Sequence, residues 1–474
     1  MIPTTIAATA TGLDRGDFSA REVVEETFRR IDHSDDRIRA WLRLCPERAL
    51  EEADASDARR AAGQRLGALD GIPFGIKDII DTEGVETTCA SDVLAGNVPA
   101  EDATAVARLR AAGAIAVGKV NTHAFAYGVV SPPTRNPWHA GHIPSGSSGG
   151  SGAAVAATHV PLTLGTDTGC SIRAPAALCG ISGLKPTFGR VPKDGVAVLC
   201  WSLDHVGPMC WTAEDAAIAL NALAGRSLRD PTSSRRPSED FTRELGQSIA
   251  GLRIGVPGGY FTSHFPAVTA AIETAAETLD RLGATLCPIA TAPTVGGLTP
   301  HVPGLAIHFS EPLAWHANRF SRQRGDYPGD VATFLQHGAA MLATDYINAR
   351  RYRSRFNLEM QRLYERHQID LLITPTVPVT AGAVDQEDYR SADGLVEDLV
   401  WASVRCAFPF NMTGQPALTV PCGFDDAGLP IGLQIAGRPW AEATVLRVGH
   451  AFQHATDWHT RRPPTVESAA ARSA

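Results

Sequence analysis

Apolar positions recur at helical spacing early in the chain. In FSAREVVEETFRRI, Val24, Phe28 and Ile31 fall on one face, and Ser19 with Glu22 has the S-x-x-E form of a capping box. Residues 47–66, rich in Ala, Glu, Asp and Arg, extend the helical signal. The pattern changes at GIPFGIKD (71–78), a short apolar run bounded by Gly and Pro, which predicts a buried strand ending at Lys77. EDATAVARLRAAG followed by AIAVGKV reads as helix, glycine stop and strand. The Pro/Gly/Ser run 131–152 runs on into GAAVAATHVPLTLGTDTG, a small-residue helix and then a strand, which places it inside the domain rather than in a linker. Thr212 and Asp215 form a T-x-x-D box that opens a helix stopped at Gly225. GLRIGVP, DLLITPTVPVT, TGQPALTVPCGF and PIGLQIAG are strand-like, the segment near 226–250 reads as a surface loop, and RRPPTVESAAARSA reads as a frayed tail. The alternation of helix and strand predicts an α/β architecture.

Length leaves the domain count open: 474 residues fit roughly three domains at about 150 residues each, or one large α/β domain. Charge narrows the partners. With 43 Lys+Arg against 51 Asp+Glu, a net charge of −8 and no basic stripe, the composition predicts no nucleic-acid partner. No apolar run reaches the ~18 residues needed to span a bilayer, and no basic segment leads into an apolar one at the start, so neither a membrane partner nor a secretory signal is expected. The 9 cysteines include no C-x-x-C pair and read as reduced thiols of a cytoplasmic protein.

Glycine is the exception to an ordinary composition: 44 residues, above the usual ~7 %. The excess gathers in SGSSGGSG (145–152) and GTDTGCS (165–171). Such stretches turn tightly and aim several N–H groups at one point, a nest for a phosphate or for the oxyanion of acyl transfer. No G-x-x-x-x-G-K-[ST] run is present, which disfavours phosphate. Gly146-Ser147-Ser148-Gly149-Gly150 formally matches the G-x-S-x-G elbow, and His450, His454 and His459 could complete a Ser–Asp–His order, but the elbow needs a strand before it and NPWHAGHIPS is a poor one. A Ser–His–Asp hydrolase and a non-catalytic anion-binding protein both remain alternatives to this point. His139 and His142 have no companion ligand cluster, so no metal is expected.

Taken together, GIPFGIKD, SGSSGGSGAAVAA, LGTDTGCSIRAPAALCGISGLKPTFGRVP, SLDHVGPM, PALTVPCGF and LPIGLQIAG resemble the amidase signature family over about residues 15–460. The resemblance implies a single large α/β domain over 1–474 with a central mixed sheet flanked by helices. Its parts would be N-terminal helices to about 66, a catalytic core over about 67–225, a variable substrate-pocket region over about 290–400, a C-terminal part of the core over about 401–460, and a tail over about 461–474. It further implies Ser171 as nucleophile, Ser147 as bridging serine after a cis peptide bond, and Lys77 as base. The N–H groups of Thr168, Gly169, Cys170 and Ser171 would form the oxyanion hole, with Ser148, Asp167 and Arg173 supporting the loops. Ala124, Phe125 and Tyr127 would lie beside the acyl pocket. A lysine on a dry strand end loses its proton more readily than an exposed one, which suits it as a base. Cys170 departs from the glycine usual in the family; if that backbone needs a positive φ, a Cβ there is unfavourable by roughly 1 kcal/mol.

The activity implied is hydrolysis of a C–N acyl bond, an amide or a carbamate, with esters as side substrates and no metal or cofactor. The substrate would be a small molecule and a homodimer is possible. Trp315, Phe309 and Phe320 lean toward an aryl or apolar group. The alternative within the resemblance is the amidase component of a glutamine-dependent tRNA amidotransferase, which VVSPPTRNPWHAGHIPSG resembles less.

Overall fold

A computed structural model describes residues 2–464; Met1 and most of the expected frayed tail, 465–474, lie outside the described residues. The N-terminal helix Ala20–Ile38 opens as its sequence dictates. Ser19 Oγ accepts from the Glu22 N–H at 3.1 Å, and Glu22 Oε2 accepts from the Ser19 N–H at 2.8 Å. The box at Thr212 is only half made. Thr212 Oγ1 accepts from Asp215 N–H at 3.0 Å, but the Asp215 carboxylate turns away to accept from Ala7 N–H at 3.0 Å, tying helix Ala213–Leu223 to helix Ile6–Arg15.

The strands, in chain order, are β1 (Trp41–Leu44), β2 (Pro73–Lys77), β3 (Ile115–Val120), β4 (Leu162–Asp167), β5 (Ser182–Lys185), β6 (His205–Cys210), β7 (Arg253–Pro257), β8 (Thr285–Ile289), β9 (Leu371–Pro375), β10 (Asp388–Arg390), β11 (Val396–Asp398), β12 (Ala417–Phe424) and β13 (Pro430–Gly437). Among the described residues, 11 of them form one mixed sheet in the order β1-β3-β2-β4-β6-β5-β12-β13-β9-β7-β8, and β10 pairs with β11 apart from it. Pairing is parallel where β2 meets β3 and β4 and where β7 meets β8 and β9; the other ladders are antiparallel. Every residue of β2, β3, β4, β6, β9 and β13 is buried, as expected for strands covered on both faces by helices. This is a single-domain α/β fold, so the open domain count resolves to one.

Two features place the site. Because β2 and β4 are parallel neighbours, their carboxyl ends, at Lys77 and Asp167, open on the same side of the sheet. The run 131–152 lies inside the domain, and its end becomes the fully buried helix Gly149–Ala156. That helix sits so close to its neighbours that a Cβ on Gly150 would come within 2.4 Å of the Asn121 carbonyl oxygen, so only glycine fits. The region over about 290–400 supplies helices His301–Gln323, Gly329–Ala340 and Ala343–His367 and the β10–β11 pair.

Candidate active site

Lys77 ends β2 with its side chain fully buried. Its Nζ donates to Ser147 Oγ at 2.7 Å and to Thr166 Oγ1 at 2.8 Å. Burial pushes the lysine down to about 7, against the pull of Asp167 and Asp204, so the neutral amine is populated near neutral pH. The expected cis peptide joins Gly146 to Ser147. The Ser147 carbonyl is held by His123 N–H at 3.1 Å and by Ser131 Oγ at 2.9 Å, and Ser131 Oγ in turn accepts from Gly149 N–H at 3.1 Å.

Ser171 lies in the turn between β4 and helix Arg173–Cys179, 7 % exposed. Among the described residues, no acceptor meets the backbone N–H groups of Thr168, Gly169, Cys170 or Ser171, so a row of donors stands open at this turn. Cys170 does not adopt a left-handed backbone, and its side chain therefore carries none of the penalty its sequence position suggested. Its thiol packs 3.9 Å from the Gly146 carbonyl oxygen, and burial pushes it up to about 12.

The turn is held from below by a buried ion pair. Arg173 Nη2 and Nε donate to Asp167 Oδ1 and Oδ2 at 2.8 and 2.9 Å, and Oδ2 also accepts from Ile172 N–H at 3.1 Å. Burial alone would raise the Asp167 carboxyl; the Arg173 guanidinium overrides it and holds the group below the usual carboxylate range. Arg173 Nη1 reaches Gln434 Oε1 at 2.8 Å, and Asn411 Nδ2 donates to Asp167 Oδ1 at 2.8 Å. Ser148 Oγ donates to the Thr166 carbonyl at 3.2 Å, joining the two glycine-rich segments.

Four contributors went unassigned from sequence. Thr166 is the second acceptor of Lys77, and Asp204 accepts from Thr168 Oγ1 at 2.6 Å, with its carboxyl raised by burial to about 6. Asn411 and Gln434 buttress Asp167 and Arg173 from far along the chain. Asn411 is fully buried.

Of the expected pocket residues, Ala124 is half-buried at a short 3-10 turn. Phe125, 1 % exposed, is core: it stacks on Tyr327 at 5.5 Å and meets His316 edge-on at 4.7 Å. Tyr127 meets Phe334 at 5.0 Å, with its hydroxyl buried and unpartnered among the described residues. Near Gly169 the closest side chains are Phe408 and Val404, at 3.6 and 3.8 Å from where a Cβ would stand, so the turn is apolar on that side. A cavity of about 240 Å3 is lined in part by Thr166, Thr168, Lys193 and Asp204.

The elbow alternative finds no support in the backbone. No strand leads directly into residues 146–150, and among the described residues no hydrogen bond joins His450, His454 or His459 to them. Likewise, no group of three or more His, Cys, Asp or Glu side chains among the described residues is arranged to hold a metal.

Comparison with known proteins bears on this geometry. The family described as Amidase matches residues 22–446. A glutamyl-tRNA(Gln) amidotransferase subunit from Chloroflexus aggregans is 44 % identical over 487 residues, covering 97 % of this chain and 98 % of that one. A solved structure described as a vestigial protein complex revealing the evolutionary origins of an s-triazine catabolic enzyme is 36 % identical, with a TM-score of 0.90 over 95 % of this chain and 98 % of that one. The native peptide amidase of Stenotrophomonas maltophilia is 31 % identical, with a TM-score of 0.85 over 97 % and 98 %.

The first of these corrects the partner expectation: end-to-end relatives are named as one component of an amidotransferase for glutamyl-tRNA(Gln), so an acidic total does not exclude nucleic acid for this kind of chain. Net charge is a whole-chain sum, and −8 coexists here with Arg351, Arg355 and Arg366, all exposed on helix Ala343–His367 and, among the described residues, without an acid at ion-pair distance. Among the described residues no helix is long and apolar enough to cross a membrane. With the family matched across most of its length and the buried lysine–serine pair in place, the chain belongs to the amidase signature family.

Proposed function

We propose that the chain hydrolyses a carbon–nitrogen acyl bond through an acyl-enzyme on Ser171, with Ser147 relaying a proton to neutral Lys77. The observation that carries this reading is the 2.7 Å Lys77–Ser147 bond, made where neither side chain is exposed and where burial brings the lysine to about 7. Ser171 Oγ attacks the carbonyl carbon and gives its proton to Ser147 Oγ, whose own proton passes to Lys77 Nζ. The open N–H groups of residues 168–171 take the charge on the carbonyl oxygen. Collapse expels the nitrogen, which takes the proton back through Ser147. Water then attacks the ester by the same relay and frees Ser171. Labelling by a fluorophosphonate tests the assignment: it is expected at Ser171 and lost in Ser171→Ala, and labelling elsewhere overturns it.

As to setting, the names of the 44 %-identical relatives favour the amidase component of a glutamine-dependent tRNA amidotransferase, which would work with further subunits and tRNA and take glutamine as its amide. A second reading, a self-sufficient hydrolase of an apolar amide or carbamate, is favoured by Phe408 and Val404 beside Gly169. Assaying the purified chain alone against glutamine, aryl and aliphatic amides, carbamates and esters separates them. Turnover of apolar amides with no glutaminase activity supports the second; glutaminase activity that rises with added partner subunits and tRNA supports the first.

A further inference from the structure

The backbone between His123 and Gly128 is held against its preference. Phe125 and Ala126 stand at φ of +52° and +63°, in the left-handed region that residues with a Cβ rarely occupy. Such a conformation persists only where its surroundings fix it. On one side those surroundings come from residues 301–340: Tyr327 and His316 pack on Phe125, Phe334 meets Tyr127, and Asp330 bonds to His123.

The last of these contacts is polar, and it reaches the bridging serine through a single residue. His123 Nε2 lies 2.9 Å from Asp330 Oδ2. An ionised carboxylate only accepts, so Nε2 carries the hydrogen of this bond. The same bond is the main reason that the Asp330 carboxyl sits below its ordinary value. The other carboxylate oxygen, Oδ1, accepts from Val331 N–H at 2.9 Å, which ties Asp330 to the first turn of helix Gly329–Ala340. Gly128 closes off the other side of the buried ring. A Cβ on it would come within 2.3 Å of His123 Cδ2, so the ring cannot retreat in that direction. Meanwhile the His123 backbone N–H donates to the Ser147 carbonyl at 3.1 Å. One residue therefore grips helix Gly329–Ala340 with its imidazole and Ser147 with its amide.

We propose that His123 is a positioning residue for Ser147 and that Asp330 is its anchor, so that the seat of helix Gly329–Ala340 sets how well Ser147 relays the proton of Ser171. This rests on the reading of Ser147 as the relay, and adds to it a pair of side chains that touch none of the reacting atoms. A relay serine displaced by a fraction of an ångström meets its donor and acceptor poorly, and a misplacement of about 1 Å can cost on the order of 100-fold in rate.

The second-order rate at which a fluorophosphonate labels Ser171 reads the effect on the full chain, whatever its substrate, because the label reacts only with an activated hydroxyl. The rate is expected to fall by about tenfold in Asp330→Asn and to return to within about twofold of wild type in Asp330→Glu. His123→Ala combined with Asp330→Asn should be no slower than His123→Ala alone, since both substitutions remove the same bond. The Asp330 side chain is 62 % exposed, so its variants are expected to fold. A wild-type rate in Asp330→Asn, no recovery in Asp330→Glu, or losses that multiply in the double variant overturns the proposal and leaves the relay standing. Wild type that is not labelled at Ser171 overturns the relay, and this proposal with it. Should His123→Ala not fold, Asp330→Asn and Asp330→Glu carry the same expectation and the same refutation.

Discussion

The thiol of Cys170 lies 3.9 Å from the carbonyl oxygen of Gly146, so the residues immediately preceding Ser171 and Ser147 touch. The contact seats the two serine-bearing turns against each other without using thiol chemistry, since burial pushes the group up to about 12. Cys170→Gly is therefore expected to keep kcat/KM, and native protein should resist iodoacetamide at this position at pH 8. An inactive glycine variant would show that the sulfur does more than pack.

Lys77 is expected to set the pH behaviour of the proposed reaction. If the neutral amine is the base, kcat/KM rises about tenfold per pH unit below about 7 and levels above it. Lys77→Met should lower kcat by about a thousandfold or more and abolish that limb. Stability moves in the same direction. The lysine is depressed in the fold from an ordinary ~10.4, so between those values the unfolded chain holds more protons and wild type gains stability as pH rises. Thermal melts of wild type and Lys77→Met should therefore draw apart in favour of wild type from pH 7 to 10, and run parallel below pH 7.

The Asp167–Arg173 pair predicts a different signature. Arg173→Met leaves a buried carboxylate without its cation and should cost about 3–5 kcal/mol in urea unfolding. Because Asp167 is held below its ordinary value, its contribution is complete above ~3.9 and fades as pH falls through the lower folded value. The gap between wild type and Asp167→Asn should accordingly narrow only in strong acid.

Thr166→Val removes one of the two hydroxyls that receive Lys77 Nζ. Activity is expected to fall by about 10- to 100-fold, with the acid limb of the pH profile shifted to lower pH, since less remains to favour the ammonium form. A drop in kcat with an unshifted limb would mean that Thr166 supports the strand alone.

Local signals carried much of the fold. The GIPFGIKD run gave β2 to its last residue, and the Ser19 box gave the start of its helix, because both depend on neighbours in sequence. The half-made box at Thr212 shows the limit: Asp215 had a tertiary partner in Ala7 that no window around it contains. The glycine-rich segments marked the two loops and the family resemblance singled out their serines, whereas Asn411, Gln434 and Asp204 act through contacts across the fold and carried no local mark of it. The nucleic-acid expectation failed for a related reason, since a summed charge records neither where arginines stand nor what a neighbouring protein supplies.

Arg173 is bonded to Gln434 on β13, and its partner Asp167 to Asn411, both more than two hundred residues farther along. The turn that carries Ser171 is thus fixed by parts of the protein that are synthesised last. A chain emerging from the ribosome has made all three candidate reactive residues long before it has made their supports. If Ser171 is the nucleophile, a nascent chain is expected to become active only once strand β13 and the segment around Asn411 have docked.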